Sequence, residues 1–170
     1  MKKQINVGLI GTGRLGSMYA EFLVHLVPQA KLVAVADLIP ERATTIAEKY
    51  DIPKWYDNHH DLNSDPNVDA VIITATTMNH KEIVLDAVAE RKPIFCEKPM
   101  SLSIDDARAM KSAVEAHGVF YQQGYMRRFD KGFAADKFWI WPFMILTSRA
   151  GIWATLKLSM PSVAFWHILK

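Results

Sequence analysis

The chain has 170 residues, which is enough for one ordinary domain with its own hydrophobic core. Its formal net charge of +2 is close to neutral, so composition excludes electrostatic attraction as a basis for nucleic-acid or membrane partners. Cys96 is the single cysteine, which excludes an internal disulfide and makes a reducing cytoplasm the expected compartment. Residues 1–6 lack the apolar core of a signal peptide and predict no targeting segment.

Apolar strands alternate with helices through the first 124 residues. Strands are predicted over 5–10, 31–37, around Trp55, and over 69–74, 93–96 and 119–122; helices are predicted over 14–26, 40–50, 79–90 and 104–117. On the first helix, the residues expected to face the sheet are Leu15, Met18, Phe22, Leu23 and Leu26. Because the strands are continuously apolar, we expect an α/β fold with a doubly wound parallel sheet, covered by helices on both faces.

A glycine-rich turn stands between the first strand and the first helix. Its six residues are Gly11, Thr12, Gly13, Arg14, Leu15 and Gly16. The motif alone is also common in tight turns, but here it follows a strand, opens a helix and precedes an acid by about 20 residues. Gly11 permits the tight turn, Gly13 lets a pyrophosphate approach the backbone, and Gly16 lets helix and strand pack closely. The turn therefore predicts a dinucleotide site at the helix N-terminus.

Asp37 is the acid that ends the second strand. Its carboxylate is placed to accept hydrogen bonds from the adenosine ribose, and it would repel a 2′-phosphate, which favours NAD over NADP. A solvated acid at a strand end is the plainer interpretation. Arg42 is the nearby cation that a 2′-phosphate would need, and we expect it on the solvent face of its helix.

The strand over 93–96 leads into Glu97-Lys98-Pro99. Together with the turns over 11–16 and 76–80 and the segment over 124–130, this motif resembles the Gfo/Idh/MocA oxidoreductase family, most closely its inositol 2-dehydrogenases. The resemblance covers about residues 4–137. It implies an N-terminal NAD(P)-binding Rossmann domain, a C-terminal α/β domain, sugar or cyclitol substrates, and assembly into homo-oligomers.

The resemblance also implies roles for single residues. Lys98 is expected beside the nicotinamide as the catalytic residue, placing the substrate and moving its proton, although a plain surface lysine remains the alternative. Glu97 is expected along the nicotinamide ribose. Pro99 is expected to fix the turn, often through a cis bond in this family.

Further candidates follow the fourth strand and the sixth. Thr74, Asn79 and His80 are expected among the cofactor-binding residues, since they lie at the ligand edge of the sheet. His80 also suits a plain position at the start of a helix. Arg127 resembles a position that faces the polyol substrate, but a salt bridge in the interdomain connection is equally consistent with it.

Two neighbouring histidines, His59 and His60, are expected to be solvated helix residues. They have no third ligand at metal-like spacing in the sequence, so we predict no metal site.

The family pattern ends near Lys137. Residues 125–137 resemble the start of an interdomain segment, whereas 138–170 contain no acid and four of the five tryptophans. The second-domain Asp and His that the resemblance implies cannot be drawn from this tail. A shifted reading frame with an early stop accounts for this composition; a genuine short protein with an apolar tail, or a domain that pairs with another chain, are the alternatives.

Three functions remain open from the sequence. The first is an NAD-dependent oxidoreductase that acts on the CH–OH group of a cyclitol or sugar. The second is a non-catalytic dinucleotide-binding remnant or sensor. The third, a nucleoside-binding methyltransferase, shares the glycine-rich turn but gives the Glu97-Lys98-Pro99 motif no role.

Overall fold

The computed structural model describes residues 4–125. In chain order the elements are β1 (Ile5–Ile10), α1 (Arg14–His25), β2 (Ala30–Ala36), α2 (Pro40–Lys49), β3 (Lys54–Tyr56), α3 (His59–Ser64), β4 (Ala70–Ile73), a 3₁₀ helix (Thr77–Asn79), α4 (His80–Ala89), β5 (Ile94–Glu97), α5 (Ile104–His117) and β6 (Tyr121–Gly124). Arg127 and the tail over 138–170 lie outside the described residues, as does all but the first residue of the segment over 125–137.

The six strands form one parallel sheet in the order β3-β2-β1-β4-β5-β6. Leu9 of β1 lies opposite Val35 on one side and Ile72 on the other. The strand order therefore reverses between β1 and β4, and ligands of such sheets bind at that switch point, outside the carboxyl ends of the strands. The predicted doubly wound parallel sheet is confirmed.

Two clusters of buried apolar side chains lie on the faces of the sheet. One joins the strands to α1 and α2 through residues such as Leu23 and Ile46. The other joins them to α3, α4 and α5 through residues such as Leu62, Val84 and Met110. Burial on both faces explains why the strands read as continuous apolar runs rather than alternating ones.

The first helix differs from its prediction at two positions. Leu26 was expected to face the sheet, but it is 47% exposed because α1 ends at His25. Tyr19 was not among the residues expected to face the sheet, but its side chain is buried. None of the helices within residues 4–125 has both the length and the apolar character needed to cross a bilayer.

Asp65, at the end of α3, is the centre of a buried polar network. Its carboxylate accepts hydrogen bonds from the Lys54 ammonium at 2.9 Å, the Tyr56 hydroxyl at 3.0 Å, and the backbone and side chain of Asn67 at 2.9 Å each. Burial alone would raise the pKa of Asp65, but these donors outweigh it and hold the pKa well below its usual range. The network ties the edge strand β3 to the loop before β4.

We predict that Asp65→Asn lowers the free energy of unfolding by about 1–3 kcal/mol at neutral pH, because one charged acceptor of several hydrogen bonds is lost. The pKa of Asp65 is depressed in the folded state, so its contribution is complete above the unfolded pKa of about 3.9 and is lost as the pH falls below that value. Urea unfolding at a series of pH values measures both effects.

Exposed Glu48 provides the matched control, since Glu48→Gln makes the same change from acid to amide without a buried network. If Asp65→Asn and Glu48→Gln unfold at the same urea concentration over the whole pH series, the network around Asp65 does not stabilise the fold.

Candidate functional site

The turn after β1 is built from two glycines that leave no room for a side chain. Gly11 has φ +93°, and a Cβ on it would lie 2.5 Å from the backbone nitrogen of Ala75. A Cβ on Gly16 would lie 1.9 Å from the carbonyl oxygen of Gly11. The hydroxyl of Thr74 donates to that same oxygen at 2.6 Å. The turn is therefore fixed against both α1 and the loop after β4.

Gly13 is different, because a Cβ built on it would meet no heavy atom within 4 Å. It is the N-cap of α1, where no side chain caps the helix and no acid stands in the first turn. The first N–H groups of the helix thus face open space with the positive end of the helix dipole. Arg14 is exposed beside them. This combination fits the pyrophosphate of a dinucleotide.

Asp37 connects the end of β2 to the glycine-rich turn. One carboxylate oxygen accepts from the backbone N–H of Thr12 at 2.7 Å and from its hydroxyl at 3.1 Å; the other accepts from the N–H of Ile39 at 2.9 Å. Asp37 is half-buried, and Arg42 is exposed, as expected. These hydrogen bonds fix the carboxylate beside the turn.

Glu97, Lys98 and Pro99 follow β5 at the same edge of the sheet. The bond between Lys98 and Pro99 is cis. Glu97 is buried, and its carboxylate accepts from the Tyr19 hydroxyl at 2.5 Å and from the Lys98 backbone N–H at 3.0 Å. Burial, together with this hydrogen bond, raises the pKa of Tyr19 well above its usual range, so the phenol remains a donor.

The side chain of Lys98 is exposed, and no ion pair of its ammonium is present within residues 4–125. The strand end before it is held by Gln123 of β6, whose amide donates to the carbonyl of Glu97 at 2.6 Å and to that of Cys96 at 3.1 Å. Burial raises the pKa of the Cys96 thiol to about 12, which excludes this cysteine as a nucleophile at neutral pH.

His80 is the first residue of α4, which agrees with the expected position at the start of a helix. Its ring is buried. Nδ1 lies 2.9 Å from the carbonyl oxygen of Pro99, and Nε2 lies 3.0 Å from that of Ala75. The ring therefore lies between the loops after β4 and β5. Asn79 is half-buried in the 3₁₀ helix before it. Direct contacts of His80 and Asn79 with a cofactor stay predictions.

The sequence reasoning missed two groups. Tyr19 and Gln123 support Glu97 and the strand end from different elements. Leu38 and Met78 are exposed apolar residues that follow β2 and β4 at the ligand edge. One signal for Tyr19 was available, because it lies three residues after Gly16 and so shares its face of α1.

Comparisons with known proteins agree with this geometry. The model of the oxidoreductase family with an NAD-binding Rossmann fold, Gfo/Idh/MocA, matches residues 5–125. The scyllo-inositol 2-dehydrogenase (NAD(+)) of Bacillus subtilis is 40% identical over 137 residues, which are 81% of this chain and 40% of that protein. The myo-inositol 2-dehydrogenase of Thermotoga maritima is 37% identical over 129 residues, which are 76% of this chain and 38% of that protein.

Among solved structures, the myo-inositol dehydrogenase of Lactobacillus casei, in complex with NAD(H) and myo-inositol, superposes with a TM-score of 0.74 at 30% identity. The match covers 78% of this chain and 40% of that chain. This chain thus spans about two fifths of the length of the relatives it matches. It belongs to the Gfo/Idh/MocA oxidoreductase family, and residues 5–125 are an NAD-binding Rossmann fold of that family.

Proposed function

We propose that this chain supplies the cofactor-binding part of an NAD-dependent oxidoreductase that acts on the CH–OH group of a cyclitol or sugar. NAD supplies the chemistry of accepting the hydride from the alcohol carbon. The observation that carries the proposal is the open, uncapped turn at Gly13, which lies at the switch point of the sheet whose same edge presents Lys98.

The binding of the dinucleotide is divided among three elements. The N–H groups at the start of α1 and the cation of Arg14 meet the phosphates. Asp37 accepts hydrogen bonds from the adenosine ribose, and Thr74 keeps the first turn in shape through the carbonyl of Gly11. Exposed Leu38 and Met78 offer apolar surface at the same edge, which suits the face of an adenine ring.

Lys98 carries the proton chemistry in this proposal. In this role the neutral amine accepts the hydroxyl proton as hydride leaves the carbon, and the ammonium that forms donates a hydrogen bond to the new carbonyl oxygen. Glu97 serves Lys98 indirectly, since its buried carboxylate holds the lysine backbone N–H and the Tyr19 hydroxyl. Arg127 remains the proposed contact to the polyol.

A second candidate is a dinucleotide-binding domain without turnover. One observation favours it: the matched residues correspond to only about two fifths of the length of the two inositol 2-dehydrogenases described above. Both candidates require the same dinucleotide site, so binding and turnover must be measured separately.

We further propose a cellular compartment, an oligomeric state and domain limits for this chain. A reducing cytoplasm fits the free, buried thiol of Cys96, and assembly into a homo-oligomer follows the family pattern. The domain limits are proposed as 1–124 for the dinucleotide-binding domain and 125–137 for the start of an interdomain segment, with 138–170 as an atypical apolar tail.

Two glycine substitutions separate binding from folding. We predict that Gly13→Ala leaves the melting temperature nearly unchanged, because its methyl group meets open space, but weakens NADH binding by at least about tenfold, because the methyl group occupies the phosphate position. NADH fluorescence titration and thermal melts measure the two effects. Gly16→Ala, whose Cβ would lie 1.9 Å from the Gly11 carbonyl oxygen, is expected to destabilise the fold itself. If Gly13→Ala leaves the NADH affinity unchanged, the pyrophosphate does not bind at this turn.

The choice between NAD and NADP is predicted to depend on Asp37. Asp37→Asn keeps a side chain that can accept from Thr12 but removes the charge that repels a 2′-phosphate. We expect the preference for NADH over NADPH, as a ratio of dissociation constants, to fall by about tenfold or more. Glu41→Gln removes a nearby exposed charge and should leave the ratio unchanged. An equal shift in both variants would point to the general field of the domain rather than to a contact of Asp37.

Turnover is predicted to require Lys98. The full chain, given NAD and either myo-inositol or scyllo-inositol, should form NADH, and Lys98→Met should reduce that rate by at least about 100-fold while leaving NADH affinity within a factor of about three. Lys111→Met, on a helix away from the ligand edge, is the matched control. Absence of turnover in the unmodified chain, with NADH binding intact, would favour the second candidate.

A further inference from the structure

A group of metal-ligating side chains lies between α3 and α4, outside the dinucleotide site. The prediction of no metal rested on the lack of a third ligand near His59 and His60 in the sequence. The fold places Asp86 of α4 beside both rings. It also corrects one expectation, because the His59 side chain is only 11% exposed and so is not solvated, whereas His60 is 56% exposed.

Four potential ligands converge at this place from two helices. His59 and His60 are consecutive at the start of α3, and Glu82 and Asp86 are one helical turn apart on α4. Ligand atoms of His59, His60 and Asp86 all lie within 4.8 Å of one another. His59 Nε2 is 3.2 Å from Asp86 Oδ2, and His60 Nε2 is 3.8 Å from Glu82 Oε1. His60 Nδ1 also contacts Asp86 Oδ2.

One of these separations suits a small ion as it stands. The His60 ring, which contacts Asp86 Oδ2 directly, must turn on its exposed side chain to admit the ion. Zinc takes imidazole nitrogen and carboxylate oxygen ligands at about 2.0–2.2 Å in a tetrahedron, which places neighbouring ligand atoms about 3.3 Å apart. The 3.2 Å between His59 Nε2 and Asp86 Oδ2 meets this distance without movement. Glu82 lies 4.0 Å from His59 Nε2, and its 66% exposed side chain has freedom to move closer. Two carboxylates also supply the charge that a divalent cation requires.

A separate observation concerns hydrogen bonds. His59 Nε2 and Asp86 Oδ2 are both shielded from solvent, and within the described part of the chain neither makes a hydrogen bond of normal geometry. Their close contacts are with each other and, for Asp86 Oδ2, with the His60 ring. Buried polar atoms in native proteins normally make good hydrogen bonds, and a bound ion is one arrangement that would satisfy both of these atoms at once. They are the same two atoms whose spacing fits a metal.

We propose that His59, His60 and Asp86, with Glu82 or water as the fourth ligand, form a binding site for a divalent transition-metal ion, with Zn²⁺ the expected occupant. The nitrogen and carboxylate ligands favour zinc over magnesium or calcium, which prefer oxygen alone. The ion joins α3 to α4 and thereby stabilises the fold. It takes no part in hydride transfer, and the proposal is independent of the proposed function.

The test is a calorimetric titration of the EDTA-treated full chain with ZnCl₂ at neutral pH, paired with thermal melts. We expect one ion per chain and a higher melting temperature with zinc than with EDTA. Asp86→Asn and His59→Gln should each weaken zinc binding by at least about tenfold, as loss of supporting groups alone costs that much at metal sites. Co²⁺ in place of Zn²⁺ should give the visible absorption of a tetrahedral site in the unmodified chain and lose it in both variants.

Three controls make the result decisive. His117→Gln removes an exposed histidine on α5, away from the cluster, and should leave zinc affinity unchanged. His60→Gln alters an exposed ligand that the site requires, so it should weaken zinc binding without disturbing buried atoms, and it tests the site if the other variants fail to fold. NADH affinity should be the same with and without zinc. The proposal is overturned if the unmodified chain binds no zinc, or if Asp86→Asn, His59→Gln and His60→Gln bind zinc as tightly as the unmodified chain; a plain network of imidazole–carboxylate pairs then remains.

Discussion

The contact between Gly16 and the carbonyl oxygen of Gly11 sets the geometry of the ligand edge. Helix α1 lies so close to the turn after β1 that even a methyl group at position 16 would overlap that oxygen. This approach directs the first N–H groups of α1 into the open space above Gly13 and brings Tyr19, one turn further along, to the carboxylate of Glu97. One close packing contact therefore places both the anion-binding end of the helix and a support for the loop that carries Lys98.

The loop after β5 is held from three directions. Tyr19 reaches Glu97 from α1, His80 lies against the Pro99 carbonyl from α4, and Gln123 binds the strand end from β6. The raised pKa of Tyr19 keeps its hydroxyl protonated, so the short hydrogen bond to Glu97 persists across the neutral range. Because the backbone on both sides of Lys98 is fixed by buried groups, only its side chain remains to be ordered when a ligand binds, which lowers the entropic cost of positioning the ammonium.

Local patterns in the sequence predicted the strands and the glycine-rich turn well, because each depends on residues within one turn or one strand. The same patterns could not show contacts between distant segments. Tyr19 and Glu97 are 78 residues apart, and no periodicity connects them. The sequence predicts a solvated His59, but Asp86 of α4 lies beside its ring in the fold and the side chain is only 11% exposed. The prediction for Leu26 was wrong for a simpler reason, because α1 ends at His25, one residue before it.

Binding and chemistry depend on different parts of this site. The groups proposed to meet the dinucleotide are backbone N–H groups and side chains already held by hydrogen bonds within residues 4–125, so the proposed binding site depends on this fold alone. The ammonium of Lys98, by contrast, faces outward, and what packs over it decides its solvation and its proton affinity. In the proposed function, general acid–base catalysis by Lys98 contributes about 10²–10⁴ in rate and the positioning of reactants contributes more, so turnover depends on what surrounds Lys98 as well as on the cofactor cleft. An intact cleft is thus compatible with either candidate, a working enzyme or a binding domain, and turnover is the property that separates them.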